Sequence, residues 1–271
     1  MEYNTFTPNE LLAAFIKCYW TLEAHATTVP ERQRIVPDGC MEMIFHYGDP
    51  YKQYTSDTDF IIQPSCFVFG QITTPLAIEP TGRTGIFSVR FHPDGFMPFA
   101  TLPIKELENR AVPLEDLFGS KGIELGLEMI GAAGTAERIT MAESFLTQQL
   151  ATPRAIDCVA KQSVAVMLQL NGQVSVEGLV DQLQINRRQL ERRFAATIGL
   201  SPKQLAKIIR LQATIKMLEH KQFSSLTELA YENGYFDQTH FIKDFREFTG
   251  VSPRQFYNSN LKMTSLFSSS D

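Results

Sequence analysis

The feature that most constrains this chain is a unit that occurs twice in its C-terminal half. SVEGLVDQLQINRRQLERRFAATIGLSPKQL begins at Ser175, and SLTELAYENGYFDQTHFIKDFREFTGVSPRQF begins at Ser225. The copies match at an offset of 50 residues before the turn and 51 after it, and the extra residue falls near Gly234. An insertion confined to a turn leaves the packing faces of two helices intact, so the offset predicts two helix-turn-helix units.

Capping chemistry predicts where the helices of both copies begin. Ser225 with Glu228 has the spacing of a capping box, in which side chains satisfy the first free amides of a helix. Residues with the same capacity precede the later helices of each copy: Asn186, Asp237, and the pairs Ser201-Pro202 and Ser252-Pro253. Proline suits the first helical position, so both copies place a helix start at the same point.

The second helix of each copy has one apolar and one polar face. Apolar residues at spacings of three and four predict a buried stripe: Leu190, Phe194 and Ile198 in the first copy, and Phe241, Phe245 and Phe248 in the second. The opposite faces carry Arg187, Arg188, Glu191 and Arg192, and Gln238, Thr239, Ile242, Lys243 and Arg246. The aromatics therefore fasten the helix, and the polar residues face outward.

These polar faces suit the major groove of double-stranded DNA. Forked and amide side chains bond guanine and adenine edges, and flexible cations reach phosphates. An ordinary solvated face is the alternative for any single charged helix, but the duplication favours recognition. Glu191 either accepts from a cytosine amino group or orients Arg187 or Arg188; we favour the second role, because a carboxylate near phosphates needs a neutralising neighbour.

Charge divides the chain near residue 154. The chain has a net charge of −5; residues 1–153 hold 10 basic and 19 acidic residues, and 154–271 hold 15 and 11. The halves thus carry −9 and +4, and Thr152 and Pro153 interrupt the helical pattern where the sign changes. We therefore predict a sensor or dimerisation domain at 1–153 and a DNA-binding domain at 154–271, with motifs at about 175–198 and 225–248.

The C-terminal half resembles the tandem helix-turn-helix domain of the AraC/XylS family of transcription regulators, on the motifs NRRQLERRFAATIGLSPKQLAKIIRLQAT and ELAYENGYFDQTHFIKDFREFTGVSPRQFY. The resemblance implies seven helices, with a connecting helix at about 202–220 that lets both recognition helices enter successive major grooves. It implies that bases are faced by Arg188, Glu191, Arg192, Gln238, Thr239 and Lys243. RNA polymerase is a candidate partner of such a regulator, whether it activates or represses. The first copy departs from the pattern because its turn, at about 183–185, lacks glycine.

The N-terminal half has a strand-rich pattern. Short β-branched or aromatic runs alternate with Gly, Pro and Asp turns: CYWTLEA, RQRIVP, MEMIFHY, FVFG and GIFSVRF. They predict a small barrel or sandwich over about 1–112, followed by helices over about 113–150. RIVPDGCMEMIFHYG and GIFSVRFHPDGF resemble segments of an uncharacterised, cupin-like sensor subgroup of the same family. The predicted fold is thus an α+β domain followed by an all-α domain.

The helix expected at TAERITMAESFLTQQL has two interpretations. Ile139, Ala142, Phe145, Leu146 and Leu150 fall on one side of it. This stripe either packs on its own domain or forms a dimer contact, and the symmetry usual among oligomers favours a homodimer.

A small-molecule effector is expected inside the strand-rich domain, near Arg34, Glu42 and Arg90. A metal site would need several histidines with a carboxylate, but only His46 and His92 qualify, and they lack an H-x-H spacing. Structural roles are favoured for these polar residues, and Pro37-Asp38-Gly39 is most simply a turn. No metal and no cofactor are therefore predicted.

Catalytic motifs are lacking, so a regulator is favoured over an enzyme. Two alternatives stay open: a DNA-binding module fused to an enzyme, such as an alkyl-transfer protein using Cys40 beside Glu42, and a ligand-independent dimerisation domain. The four cysteines form no C-x-x-C pair. Because no apolar run is long enough to span a bilayer and MEYNTFTPNELL lacks signal-peptide character, a cytoplasmic protein without a membrane partner is expected.

Overall fold

The computed structural model describes residues 1–150, 156–220, 223 and 225–258. The predicted domain boundary between residues 153 and 154 lies outside the described residues. None of the helices in these ranges combines the length and hydropathy that a bilayer span requires.

The N-terminal part contains ten strands, and all five predicted segments lie on strands. The strands are β1 Glu2–Phe6, β2 Ile16–Ala24, β3 Gln33–Ile35, β4 Glu42–His46, β5 Tyr51–Tyr54, β6 Phe60–Ile62, β7 Cys66–Phe69, β8 Leu76–Pro80, β9 Thr84–Phe91 and β10 Ala111–Pro113. The sequence patterns missed β1, β5, β6, β8 and β10, which are short or mix polar with apolar residues and so lack a clear alternation.

The ten strands form two antiparallel sheets. The larger sheet has the order β1-β2-β9-β4-β7-β10, and the smaller has the order β3-β8-β5-β6. Long strands β2 and β9 pair over most of their length, and β9 is buried throughout. The strand-rich fold is confirmed, whereas closure of the sheets into a barrel stays a prediction.

Three helices follow the strands, as the sequence predicted: α1 Leu114–Phe118, α2 Ser120–Gly131 and α3 Thr135–Leu150. The apolar stripe of α3 lies against its own domain, where Ala142, Phe145 and Leu146 join the core of the larger sheet. Of the two interpretations of this helix, packing on its own domain is the one observed. The homodimer stays a prediction.

Seven helices occupy the described C-terminal residues, the number that the family resemblance implied. They are α4 Cys158–Gln169, α5 Val176–Leu183, α6 Arg187–Thr197, α7 Pro202–Glu219, α8 Leu226–Glu232, α9 Gln238–Thr249 and α10 Pro253–Asn258. Helix α7 is the connecting helix, and its inner face is buried along its whole length. The all-α tandem arrangement is confirmed.

The predicted caps are present. Asn186 and Ser201 each accept a hydrogen bond from the amide three residues on, and the side chains of Gln189 and Gln204 bond back, which completes two capping boxes. Asp237 accepts from the amide of His240 at 2.7 Å. Ser225 accepts from the amide of Glu228 at 3.1 Å. Local sequence thus determines where these helices start.

The two turns reach the same backbone conformation with different residues. Gln184 ends α5 with a φ of 53°, in the left-handed region, and Gly234 follows α8 with a φ of 69°. Glycine takes this conformation without the strain that a side chain adds. The first copy therefore keeps the geometry of the turn although it lacks the glycine.

Candidate DNA-binding surface and internal cavity

Helices α6 and α9 bury one face and expose the other. The predicted stripes are core: Leu190, Phe194, Ile198, Phe241 and Phe245 are fully buried, and Phe248 nearly so. Arg187, Arg188, Glu191 and Arg192 are exposed on α6, as are Thr239, Lys243 and Arg246 on α9, whereas Gln238 is half-buried. Ile242 corrects the prediction, because it is half-buried and packs against the core.

Some side chains on these faces have partners within the protein. Arg187 donates to Glu191 at 2.9 Å and to Glu177 at 3.2 Å. Of the two arginines that Glu191 was expected to orient, the one it contacts is thus Arg187. Gln238 accepts from the hydroxyl of Thr227 at 3.0 Å.

Other basic side chains on these faces are uncommitted. Within the described residues, the guanidinium groups of Arg188 and Arg192 and the ammonium of Lys243 make no hydrogen bond or ion pair to other side chains. An exposed cation with no internal partner is available to a phosphate or a base edge. The base-contacting roles of these residues stay predictions.

Phe236 is a surface residue that the sequence analysis missed. Its side chain is 85% exposed, directly before Asp237, the cap of α9. An apolar residue at this position often packs back on the first turn of the helix. Here Tyr235 takes that place, with its ring 5.2 Å from that of Phe241. The sequence carried a signal for this exposed ring: Tyr235 and Phe236 are adjacent aromatics, and packing on the first turn of α9 needs only one of them.

A cavity lies between the two sheets of the N-terminal part. Its walls are mostly apolar, and both sheets contribute: Trp20, Ile44, Phe69 and Ile86 from the larger, and Ile35, Tyr51, Leu76 and Ile78 from the smaller. Its water-accessible space is about 70 Å³. A single water needs roughly 10–15 Å³, so the cavity has room for a small molecule.

An ionic group lies at one end of the cavity. The buried guanidinium of Arg90 is ion-paired to Asp38 and lies 3.5 Å from Glu42. Glu42 also accepts from the Trp20 indole and the Ser88 hydroxyl, each at 3.3 Å. Burial, only partly offset by Arg90, raises the pKa of the Glu42 carboxyl to about 7.

Of the three predicted effector residues, the structure brings Glu42 and Arg90 together and places Arg34 elsewhere. Glu42 lines the cavity, and Arg90 lies behind it. Arg34 instead donates to the carbonyl of Thr249, at the end of α9, at 3.1 Å. Asp38, which the sequence placed in a turn, also lines the cavity. One of its carboxylate oxygens pairs with Arg90, and the other accepts from the amide of Cys40 and so shapes the turn.

The segment at 34–40 contacts the C-terminal helices on its other side. Val36 belongs to the core of the C-terminal helices, and Gly39 lies against Leu205 of α7. The carbonyl of Pro37 accepts from Gln212 of α7 at 2.7 Å. One short segment thus lines the cavity and touches both α7 and α9.

Burial keeps the His46 and Cys40 side chains of the cavity uncharged near pH 7. Burial lowers the pKa of His46 to about 4, so the imidazole is neutral near pH 7. Burial raises the pKa of the Cys40 thiol to about 11. A protonated thiol is a poor nucleophile, which disfavours alkyl transfer to Cys40. In the described part of the chain, no three His, Cys, Asp or Glu side chains cluster in a way that could hold a metal ion.

Fold and surface define a protein of the helix-turn-helix class, and comparison with known proteins agrees. Residues 179–259 match the model of a helix-turn-helix domain, and residues 4–113 match that of a domain of unknown function, DUF6597. The chain carries an AraC-type helix-turn-helix domain in its C-terminal part, which confirms the family resemblance of the two motifs.

Curated relatives match this chain only in part. The transcriptional regulator MtrA of Neisseria gonorrhoeae is 37% identical over 82 residues, which is 30% of this chain and 27% of MtrA. The transcriptional activator RhaS of Escherichia coli is 32% identical over 82 residues, 30% of this chain and 29% of RhaS. The chain thus matches less than a third of the length of these relatives. A solved structure of ToxT from Vibrio cholerae aligns over 89% of this chain and 98% of its own, at 13% identity and a TM-score of 0.49.

Proposed function

We propose that this protein is a sequence-specific DNA-binding transcription regulator controlled by a small effector in the cavity of its N-terminal part. The observation that carries the DNA-binding role is the repeated division of α6 and α9 into a buried apolar face and an exposed basic face. An ordinary solvated helix does not need two copies with the same caps and the same core positions. The major groove of double-stranded DNA is the partner that such a pair of helices fits.

Effector control is supported by the segment at 34–40. A ligand that changes the position of Asp38 or Ile35 in the cavity also changes the contacts of Arg34 and Pro37 with α9 and α7. A ligand shifts an equilibrium only through different affinities for two states. The shared segment supplies a physical route by which those states differ in the DNA-binding part.

We also propose a homodimer, with RNA polymerase as a further partner and the cytoplasm as the location. Three exposed apolar side chains form one stripe on α2: Ile123, Leu127 and Ile130, at 48%, 69% and 41% exposure. A second copy related by two-fold symmetry would cover the same stripe on both subunits. Sedimentation equilibrium of the full chain tests this proposal, and a monomer at micromolar concentration contradicts it.

The DNA-binding proposal is tested with the full chain and a pool of random duplexes. Repeated selection should enrich one sequence whose two parts lie about one helical turn apart, as two recognition helices in successive grooves require. Affinity for that sequence should exceed the affinity for unrelated DNA by roughly 10³-fold or more at one stated salt concentration. Enrichment of no sequence would contradict the proposal.

A further inference from the structure

The cavity presents hydrogen-bond acceptors to its interior at one end. The carboxylates of Asp38 and Glu42 both line it, whereas the guanidinium of Arg90 is not part of its lining. Lys17 acts on the nearby Cys40 thiol but does not line the cavity either. Of this ionic group, the two carboxylates therefore line the cavity, and the guanidinium of Arg90 does not.

Glu42 has acceptor capacity to spare. Its polar contacts are long: 3.5 Å to Arg90 and 3.3 Å to Trp20 and to Ser88. A carboxylate offers about four lone-pair sites and forms its strongest bonds to cations at about 2.7–2.9 Å. The raised pKa of this carboxyl has the same cause, because its charge is buried and incompletely compensated.

A second acceptor lies farther along β4, roughly 13 Å from Glu42 by the rise of a strand. His46 is 3% exposed, lines the cavity and stacks on Tyr51. Its Nε2 lies 3.2 Å from the Gln63 carbonyl oxygen, while the amide nitrogen of Gln63 donates to Gln53. This chain of bonds places the imidazole proton on Nε2, so Nδ1 is a bare acceptor. Nδ1 is buried and has no hydrogen-bond partner.

A buried acceptor without a donor costs free energy, which a ligand carrying the donor removes. An anionic ligand would place its charge against two carboxylates, and a wholly apolar one would leave all the acceptors unsatisfied. An ammonium group satisfies the carboxylates, and the aromatic ring of Trp20 beside Glu42 adds a surface that attracts cations. The mostly apolar walls of the cavity suit a hydrocarbon body.

We propose that the cavity binds a small organic amine, with its ammonium group at Asp38 and Glu42 and its apolar body against Trp20, Tyr51 and Ile78. This inference rests on the proposed effector role of the cavity and names the chemical class of the ligand. The cavity volume of about 70 Å³ sets the size at roughly five to seven non-hydrogen atoms, if each takes about the 10–15 Å³ that a water needs.

The test uses the full chain at pH 7.5 and three ligands with the same five-carbon chain: n-pentylamine, 1-pentanol and pentanoate. Calorimetric titration should give at least tenfold tighter binding for the amine than for the alcohol, with the carboxylate weakest. n-Butylamine should bind more weakly than n-pentylamine because it buries less apolar surface. Because this series uses the unaltered protein, its result does not depend on any variant folding.

Variants locate the ammonium group. Glu42→Gln and Asp38→Asn should each weaken binding of n-pentylamine at least tenfold and leave the binding of 1-pentanol within about threefold, because only the charge contact is lost. Glu31→Gln, which changes an exposed carboxylate outside the cavity, is the matched control and should bind like the unaltered chain. Equal amine affinity in the Glu42 and Asp38 variants overturns the proposal.

Operator affinity, measured in parallel, separates this inference from the proposed function. If the alcohol or the carboxylate binds as tightly as the amine and alters operator affinity, the cavity is an effector site but the ligand is not a cation. If none of the four compounds binds while the operator is bound normally, the amine inference fails and the DNA-binding role stands. If the selected DNA is not bound at all, the failure is that of the proposed function.

Discussion

At the scale of single residues, exposed and buried positions on the recognition helices should respond in opposite ways. Arg192→Ala and Lys243→Ala should each weaken operator binding by about 1–3 kcal/mol if they contact base edges, with the melting temperature unchanged. Phe245→Ala removes a fully buried ring and should lower the free energy of unfolding by about 3–5 kcal/mol. Lys121→Ala on α2 is the control for loss of a surface charge. Normal operator affinity in both surface variants, at one stated salt concentration, would contradict the assignment of faces.

Phe236 gives a second prediction at this scale. An aromatic side chain that is 85% exposed beside the start of α9 is placed to contact a thymine methyl group or a sugar. Phe236→Ala should therefore weaken operator binding by about 1 kcal/mol with little change in stability. Val29→Ala, an exposed apolar change in the N-terminal part, is the control for DNA affinity. A clear fall in the melting temperature of the Phe236 variant would instead indicate a packing role.

The pH dependence of stability isolates Glu42. The folded-state pKa of its carboxyl is raised from 4.5 to about 7, so between these values the folded chain holds more protons than the unfolded chain. Stability from this group is therefore full below pH 4.5 and is lost as the pH rises toward 7. His46, with its pKa lowered to about 4, acts in the opposite direction between pH 4 and 6.5.

In the unaltered chain, Glu42 and His46 thus change the free energy of unfolding with pH in opposite directions. Glu42→Gln removes one of them, and its stability relative to the unaltered chain should rise with pH by at most about 1.4 kcal/mol per unit between 4.5 and 7. Urea unfolding at half-unit steps of pH measures this difference. A difference that stays flat across that range would show that the Glu42 pKa is not raised in the folded protein.

At the scale of elements, the two turns provide a matched pair. Gln184 and Gly234 both have positive φ, but a side chain in this region costs roughly 1–2 kcal/mol. Gly234→Gln should lower the free energy of unfolding by about that amount, and a Cβ there would lie 3.0 Å from the Gln173 side chain. Gln184→Gly should stay within about 0.5 kcal/mol of the unaltered chain, because relief of strain offsets the greater freedom of glycine when unfolded. Chemical denaturation of both variants tests the asymmetry, and a larger loss for Gln184→Gly would contradict it.

Elements also show where sequence pattern is sufficient. Helices α6 and α9 were predictable because caps, stripe and turn agree in two independent copies. Strands β5, β6 and β8 were not, because each has three to five residues, and pairing with distant neighbours stabilises it more than its own composition does. The sequence could not predict that the α3 stripe packs on its own domain, because an apolar helix face is equally suited to its own domain or to a partner.

At the scale of the whole molecule, control of DNA binding should depend on the segment at 34–40. The double change Arg34→Ala and Gln212→Ala removes two hydrogen bonds of this segment, one from Arg34 to the carbonyl of Thr249 and one from Gln212 of α7 to the carbonyl of Pro37. It leaves the cavity lining and the exposed faces of α6 and α9 unchanged. Operator affinity should be retained, while the effect of a bound ligand on that affinity falls by about 1–3 kcal/mol. Arg32→Ala, an exposed arginine that bonds the carbonyl of Asp57 instead, is the matched control. Coupling that survives in the double variant would show that it travels by another route.

The sequence by itself determined the tandem helix-turn-helix fold, the buried stripes and the exposed basic faces, because these depend on caps and periodicity within short segments. It also indicated a strand-rich N-terminal part and two residues of the ionic group, Glu42 and Arg90. Only the tertiary structure brought Asp38 to Arg90, buried the Nδ1 of His46 without a donor, and placed Arg34 at the end of α9. Those relations join residues far apart in the chain, so they follow from strand register and domain packing, which local pattern does not encode.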